Sequence, residues 1–288
     1  MVTGATGATG APEETQALPE VQVGAAGEAA PPAGGGWRAV TAQQMMLYRR
    51  TWVGSAITSF LVPLMYLAGM GLGLGALVDR ASGGIGGVPY VAFIAPGVLA
   101  ATTLQVATGE TTFSVMGAIK WARTYEGMLA TPLRVADLVR GHLAYVLARV
   151  TVAAVVFLAV AALLGTLRSA WAPLAVLTSV LGGMAFAACT YAFSARLENE
   201  RGLTLLFRFV VMPMSLFSGT FFPVEQLPGW LQPLAWATPL WHTVEASRDL
   251  TLGTVDATTM VGHLAYLVIW LVAGYLLSVR ALRRRMVV

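Results

Sequence analysis

Lysine is almost missing from this 288-residue chain: it occurs once, at Lys120, in the setting Ala118-Ile119-Lys120-Trp121. A phosphate-binding loop needs Gly-Lys-Ser/Thr, because its lysine must reach the β- and γ-phosphates, so the chain does not hydrolyse ATP through such a loop. Charge of either sign is scarce, at 11% of residues, where a soluble domain carries about 25%. With 57% hydrophobic residues and a mean hydropathy of +0.70, the composition excludes an ordinary soluble protein and specifies a polytopic all-α membrane protein. Cysteine is limited to Cys189, which excludes an intrachain disulfide and reads as a small buried hydrophobe. His142, His242 and His263 are dispersed along the sequence, and neither His-Glu-x-x-His nor a cysteine cluster accompanies them, so no metal site is expected. A Gly-x-Ser-x-Gly elbow is missing too. A membrane-embedded transferase would need clustered carboxylates or histidines, and none cluster in the sequence. No nucleic-acid partner is expected.

Residues 1–36 are rich in Gly, Ala, Pro, Thr and Glu, with Glu13, Glu14, Glu20 and Glu28 and no basic residue. Such a segment buries too little apolar surface to fold, so it reads as a disordered leader. It matches neither a secretory signal nor a mitochondrial presequence, so it is expected to stay on the cytoplasmic side.

Beyond it, apolar runs with at most one Asp, Glu, Lys or Arg each are long enough to cross the roughly 30 Å hydrocarbon layer at about 1.5 Å per residue. Six spans are expected at about 53–78, 90–116, 141–167, 169–195, 203–222 and 257–279. Pro63 is expected to kink the first. Gln226 to Val244 is also uncharged, but holds Pro228, Gly229, Pro233 and Pro239 together with Trp230, Trp236 and Trp241. Helix breakers and interface-seeking indoles make it two short re-entrant or interfacial helices. With six spans, one side receives Arg38, Arg49, Arg50, Lys120, Arg123, Arg134, Arg140, Arg149, Arg196, Arg201, Arg208 and the four arginines at 280–285. Only Arg80, Arg168 and Arg248 remain opposite. Because cytoplasmic loops hold the excess basic charge, both termini are expected to be cytoplasmic.

Two stretches read as amphipathic. Trp37 to Arg50 places Trp37, Val40, Leu47 and Tyr48 among Gln43, Gln44, Arg49 and Arg50, as an interfacial helix does. Between spans two and three, Tyr125, Met128 and Leu129 share one helical face beside Lys120, Arg123 and Glu126. Thr131-Pro132 reads as an N-cap and first-turn proline of the next helix, which continues through Leu133. Such a short helix suits a groove on a cytoplasmic partner, or lipid headgroups. Glu110 is the only acid within a span, and an ionisable group there is a functional candidate, or a carboxylate bonded to a neighbouring Ser or Thr. Arg149 reads as a side chain reaching to the interface. Gly69, Gly71, Gly73 and Gly75 lie inside an apolar run, where close helix packing explains them better than nucleotide binding.

Several stretches resemble the permease subunits of ABC-2 type exporters, in the branch of nodulation-factor (lipo-oligosaccharide) and daunorubicin-type drug exporters. They are Tyr48-Arg49-Arg50-Thr51-Trp52, Ala95-Pro96-Gly97, Glu110-Thr111-Thr112-Phe113, Tyr125 through Leu133, Phe217-Ser218-Gly219-Thr220-Phe221-Phe222-Pro223, Leu227-Pro228, Pro239-Leu240-Trp241-His242 and Arg248. The resemblance covers roughly residues 37–286 and implies a transmembrane domain over 37–288 in the bacterial plasma membrane. It implies an interface helix with Trp37, Tyr48, Arg49 and Arg50, and a coupling helix with Tyr125, Glu126, Met128, Leu129, Thr131, Pro132 and Leu133. Arg196, Glu198 and Arg201 would form a secondary contact, and Phe217, Gly219, Pro223, Pro228, Pro239, His242 and Arg248 a re-entrant motif. It further implies a second permease copy and a cytoplasmic ATPase subunit carrying ATP and magnesium, with no cofactor in this chain. The cargo would be amphipathic, driven out by alternating access. An ion-coupled secondary transporter using Glu110 is the alternative reading of the residues.

Overall fold

A computed structural model describes residues 35–286. The expected disordered leader therefore lies outside the described residues, apart from its last two positions. So does any side-chain account of Pro63. Within the described residues the regular elements are helices, and the one β-type contact is an isolated bridge between Ile85 and Val88.

The first helix, α1 (Gly36–Gly69), runs through both the expected interfacial stretch and most of the first span. No break separates the two, because Leu47 to Trp52 contains neither glycine nor proline to stop a helix. A wide π-helical turn, Met70–Gly75, follows at the glycine-rich run and leads into α2 (Ala76–Ser82). Helix α3 (Tyr90–Thr111) ends at Thr112, whose φ of −100° and ψ of −88° leave the helical region. After it come α4 (Phe113–Met116), a second π-helical turn at Gly117–Trp121 and the short α5 (Thr124–Leu129).

Helix α6 (Val135–Leu163) begins at Arg134, not at the expected Thr131-Pro132. Thr131 instead closes the preceding turn, its backbone N–H and its hydroxyl both donating to the Met128 carbonyl. The Arg134 backbone N–H is capped by the Asp137 carboxylate at 3.2 Å. Pro173 sits in a short 3₁₀ turn, Ala172–Leu174, so the helix in the fourth apolar run, α7 (Ala175–Arg196), starts later than the charge-free run suggests. The fifth run is divided into α8 (Arg201–Leu206), a π-helical turn at Phe207–Val211 and α9 (Met212–Phe217). It stops at Phe217 because Gly219 takes a φ of +77°, open to glycine at no steric cost. Short helices α10 (Gln232–Trp236) and α11 (Pro239–Leu252) then precede α12 (Ala257–Met286).

Among the described residues, four continuous helical segments are long and apolar enough to cross a membrane: Tyr90–Trp121, Val135–Leu163, Ala172–Arg196 and Ala257–Met286. Helix α7 lies at the centre, packed on α3, α6, α11 and α12. Its small residues permit this. A Cβ on Gly182 would stand 1.9 Å from the Thr243 Oγ1 of α11, and one on Gly274 of α12 would stand 2.9 Å from both the Ala188 Cβ and the Cys189 backbone nitrogen of α7. Polar contacts add to the close packing: the Ser247 hydroxyl meets Thr178 and Ser179 at 2.9 and 3.0 Å, and Ser278 donates to the Ala188 carbonyl at 2.7 Å. Such small-residue seams are how helices adhere where solvent gives no hydrophobic drive.

The connections sort to two ends of this bundle. At one end Thr41 donates to the Gly141 carbonyl, Lys120 to the Glu198 carbonyl and Arg285 to the carbonyls of Ala195 and Leu197. At the other, the Tyr90 backbone N–H donates to the Asp79 carboxylate and its hydroxyl donates to the Phe221 carbonyl, while the Arg168 N–H donates to the Thr251 carbonyl.

Candidate functional site

The stretch between the second and third apolar runs folds as expected into a short helix, α5, but its tyrosine points the other way. Tyr125 is fully buried. Its hydroxyl lies 3.1 Å from His142 Nδ1 on α6 and accepts from the Tyr191 hydroxyl of α7 at 3.2 Å. Burial pushes the Tyr125 phenol up, with the Tyr191 bond acting slightly against it. Glu126, Thr131 and Pro132 are exposed, while Met128, Leu129 and Leu133 are half-buried. The periodicity was thus legible, but the direction of the apolar face was not: the tyrosine is an anchor into the bundle, and the outward surface is carried by the other residues. The helix is entered through Arg123 at φ +49°, which is the one non-glycine with positive φ among the described residues.

Arg196, Glu198 and Arg201 are exposed beyond α7 and at the start of α8, at the same end of the bundle as Lys120. Trp37 and Tyr48 are half-buried on α1, with Arg49 and Arg50 exposed. Beside the beginning of α1 lies a cleft of about 500 Å³, lined by Gly36, Ala39, Pro132, Leu133, Arg134 and Arg140.

Glu110 is held by an ion pair where the sequence offered a bond to Ser or Thr. Its carboxylate pairs with Arg149 at 3.0 Å, and the guanidinium also lies 4.2 Å from the centre of the Tyr48 ring. Arg149 therefore turns into the bundle toward Glu110, correcting the expectation that it extends to the interface. Sequence spacing gave no hint of a pair 39 residues apart.

At the other end, one buried cation holds the loop that follows α9. Arg248 of α11 donates to Glu245 and to the Gly219 carbonyl, both at 2.5 Å, and its guanidinium sits 4.1 Å above the Phe93 ring. Gly97 of α3 makes room for the same loop, since a Cβ there would come within 2.6 Å of the Thr220 carbonyl oxygen. Phe217 is partly exposed, Pro228 exposed, Pro223 half-buried and Pro239 buried. His242 is not isolated, as its sequence position suggested: its Nδ1 lies 2.8 Å from His263 Nδ1 of α12, and its ring stacks on Tyr266 at 3.9 Å. Residues 21 apart meet because α11 folds back along α12. Burial, and then the neighbouring His263 ring, bring the His242 imidazole down to about 4.

Residues 36–252 match the ABC-2 type transporter family. The chain belongs to the ABC-2 type transporter family. Nodulation protein J of Rhizobium leguminosarum bv. viciae is 34% identical over 263 residues, which span 90% of this chain and 99% of that protein. Nodulation protein J of Rhizobium meliloti is 32% identical, over 90% of this chain and 97% of its own length. The Escherichia coli inner membrane transport permease YadH is 23% identical over 86% of this chain and 94% of that protein. Membership makes this ABC-2 chain a transporter membrane subunit of bacterial type, of a family whose permeases work with an ABC ATPase subunit.

The partners of Tyr125 that sequence reasoning missed are His142 and Tyr191. One signal could have found the first: an ionisable ring in an apolar span is costly unless paired.

Proposed function

We propose that this chain is the permease subunit of an ATP-driven exporter in the bacterial plasma membrane, moving an amphipathic compound outward by alternating access. The cargo class is a drug, a lipo-oligosaccharide or a lipid-linked glycan. What carries the reading is a chain that matches the ABC-2 family over residues 36–252 and has no phosphate-binding loop of its own. Energy then comes from a separate cytoplasmic ATPase that holds ATP and magnesium, and a second permease copy completes the pathway. The relatives named Nodulation protein J support the exporter branch.

In this reading six spans cross the membrane: the later part of α1, then α3, α6, α7, the α8–α9 run and α12, with both termini in the cytoplasm. Residues 37–288 form the transmembrane domain, and α10 with the start of α11 are re-entrant at the outer end. The sorting of loop contacts to opposite ends of the bundle supports this arrangement, as does the excess of arginine on one side. The cytoplasmic end then presents α5, with Glu126, Met128, Leu129, Thr131, Pro132 and Leu133, to the ATPase, and Arg196, Glu198 and Arg201 beside it. Trp37, Tyr48, Arg49 and Arg50 lie at the inner interface against lipid. The weakly polar spans suit a cargo that slides along an apolar surface. Glu110, already paired with Arg149, is a poor carrier for a coupling ion.

Affinity purification of the tagged chain in mild detergent, followed by mass spectrometry and an ATPase assay, tests the proposal. A stoichiometric ATPase subunit with hydrolytic activity is expected. A chain that purifies alone and without activity across several detergents refutes it.

A further inference from the structure

The inference deepens the proposed function and rests on it: an ATPase pushing on α5 must move the spans, and the covalent route from α5 to α3 is soft. Three departures from a regular helix interrupt that route. They are Thr112, with its non-helical φ and ψ, the π-helical turn at Gly117–Trp121, and Arg123 in the left-handed region. A displacement of α5 would be absorbed at these joints unless a second path bypassed them.

Such a path is present, and its chemistry has a fixed direction. His142 Nε2 lies 2.8 Å from the Glu110 carbonyl oxygen. A carbonyl can only accept, so Nε2 carries the proton. In the neutral ring Nδ1 is then an acceptor, taking the Tyr125 O–H at 3.1 Å and facing the Gln44 amide at 3.5 Å. With its own proton committed, the Tyr125 oxygen accepts from the Tyr191 hydroxyl. His142, Tyr125 and Tyr191 are all 1% exposed or less. The Glu110 carbonyl belongs to the last turn of α3, where helical carbonyls lack intrahelical partners. It is therefore free to take the imidazole.

We propose that His142, as the Nε2–H tautomer, is a positioning residue that ties the coupling helix α5 to the free carbonyl end of α3, so that movement of α5 reaches α3 through this buried chain of hydrogen bonds. Three buried bonds in series act as one unit, because breaking any of them strands a buried donor or acceptor.

The test uses the full chain co-purified with its ATPase subunit in nanodiscs, in a Cys189→Ser background carrying Trp230→Cys as reporter. Trp230 is well exposed, in the turn before α10. The rate of maleimide labelling is read with and without ATP and vanadate, on complexes that retain stoichiometric ATPase. In the parent the two rates differ. His142→Phe, which keeps a ring but loses both nitrogens, is expected to bring their ratio to unity. Tyr125→Phe, which removes only the inward-facing hydroxyl, is expected to lower the bias by about fivefold, the worth of one buried bond. His142→Gln is expected to retain the bias, since its amide can donate to Glu110 and accept from Tyr125. An unchanged ratio in both phenylalanine variants, with the parent responding, overturns the relay and leaves the exporter reading intact. A loss in His142→Gln as complete as in His142→Phe also overturns it. A parent indifferent to nucleotide overturns the ATP-coupled reading and the relay with it.

Discussion

Arg248 offers the sharpest test of how the outer end is held together. Its guanidinium is buried, bonded to Glu245 and to the Gly219 carbonyl, and lies over Phe93. Arg248→Met keeps a flexible apolar stem but removes the charge, leaving Glu245, whose side chain is 27% exposed, without its partner. Breaking one side of a buried pair costs about 3–5 kcal/mol, and the partial exposure of Glu245 sets the expectation at about 3 kcal/mol. Glu245→Gln alone leaves the cation with the Gly219 carbonyl and the Phe93 ring, a smaller loss of about 2 kcal/mol. The double variant removes the stranded charge as well as the bond, so it should be less unstable than the two singles summed, by about 2 kcal/mol. Denaturant unfolding of the purified chain, followed by tryptophan fluorescence, measures all three. Additivity within about 0.5 kcal/mol would refute the claim that the two side chains form one energetic unit.

Four other outcomes are expected. Glu110→Gln and Arg149→Gln each lower thermal stability by about 1–3 kcal/mol, and exchanging the two residues restores part of it, as read by fluorescence-detected size exclusion. Gly182→Val drives α7 from α11 at Thr243 and destabilises by at least about 1–3 kcal/mol; Thr243→Ala in the same chain recovers a measurable share. Leu129→Asp, on the half-buried rim of α5, abolishes stimulation of the partner ATPase while the permease still elutes as a folded species. The native state holds His242 at about 4 against an ordinary 6.5, so below pH 6.5 the unfolded chain binds the extra proton. Stability is then full above pH 6.5 and declines as pH falls toward 4. Thermal melts across that window should show the decline, and His242→Phe should flatten it.

The long apolar helices in runs two, three, four and six were legible because a nearly charge-free run of about 20 residues has few structural options. The limits of these helices were less so. Thr131-Pro132 carries the residue types of a helix start, yet the Asp137 carboxylate reaches the Arg134 backbone and begins the helix there. The apolar pattern of α5 gave a face and not its direction, since tyrosine suits either a groove or a core. Long-range pairs escaped altogether: Glu110 with Arg149, His242 with His263 and Tyr125 with His142 are set by how helices cross. Sequence separation holds no record of that.

The central place of α7 governs how the chain is made. It is the fourth apolar run to leave the ribosome, and its seam of Gly182, Ala188 and Cys189 is filled by α11 and α12, which are synthesised last. Until Ser278 reaches the Ala188 carbonyl, the part of the seam at Ala188 and Cys189 lacks its protein partner, and a frameshift before residue 257 removes the helix that closes it.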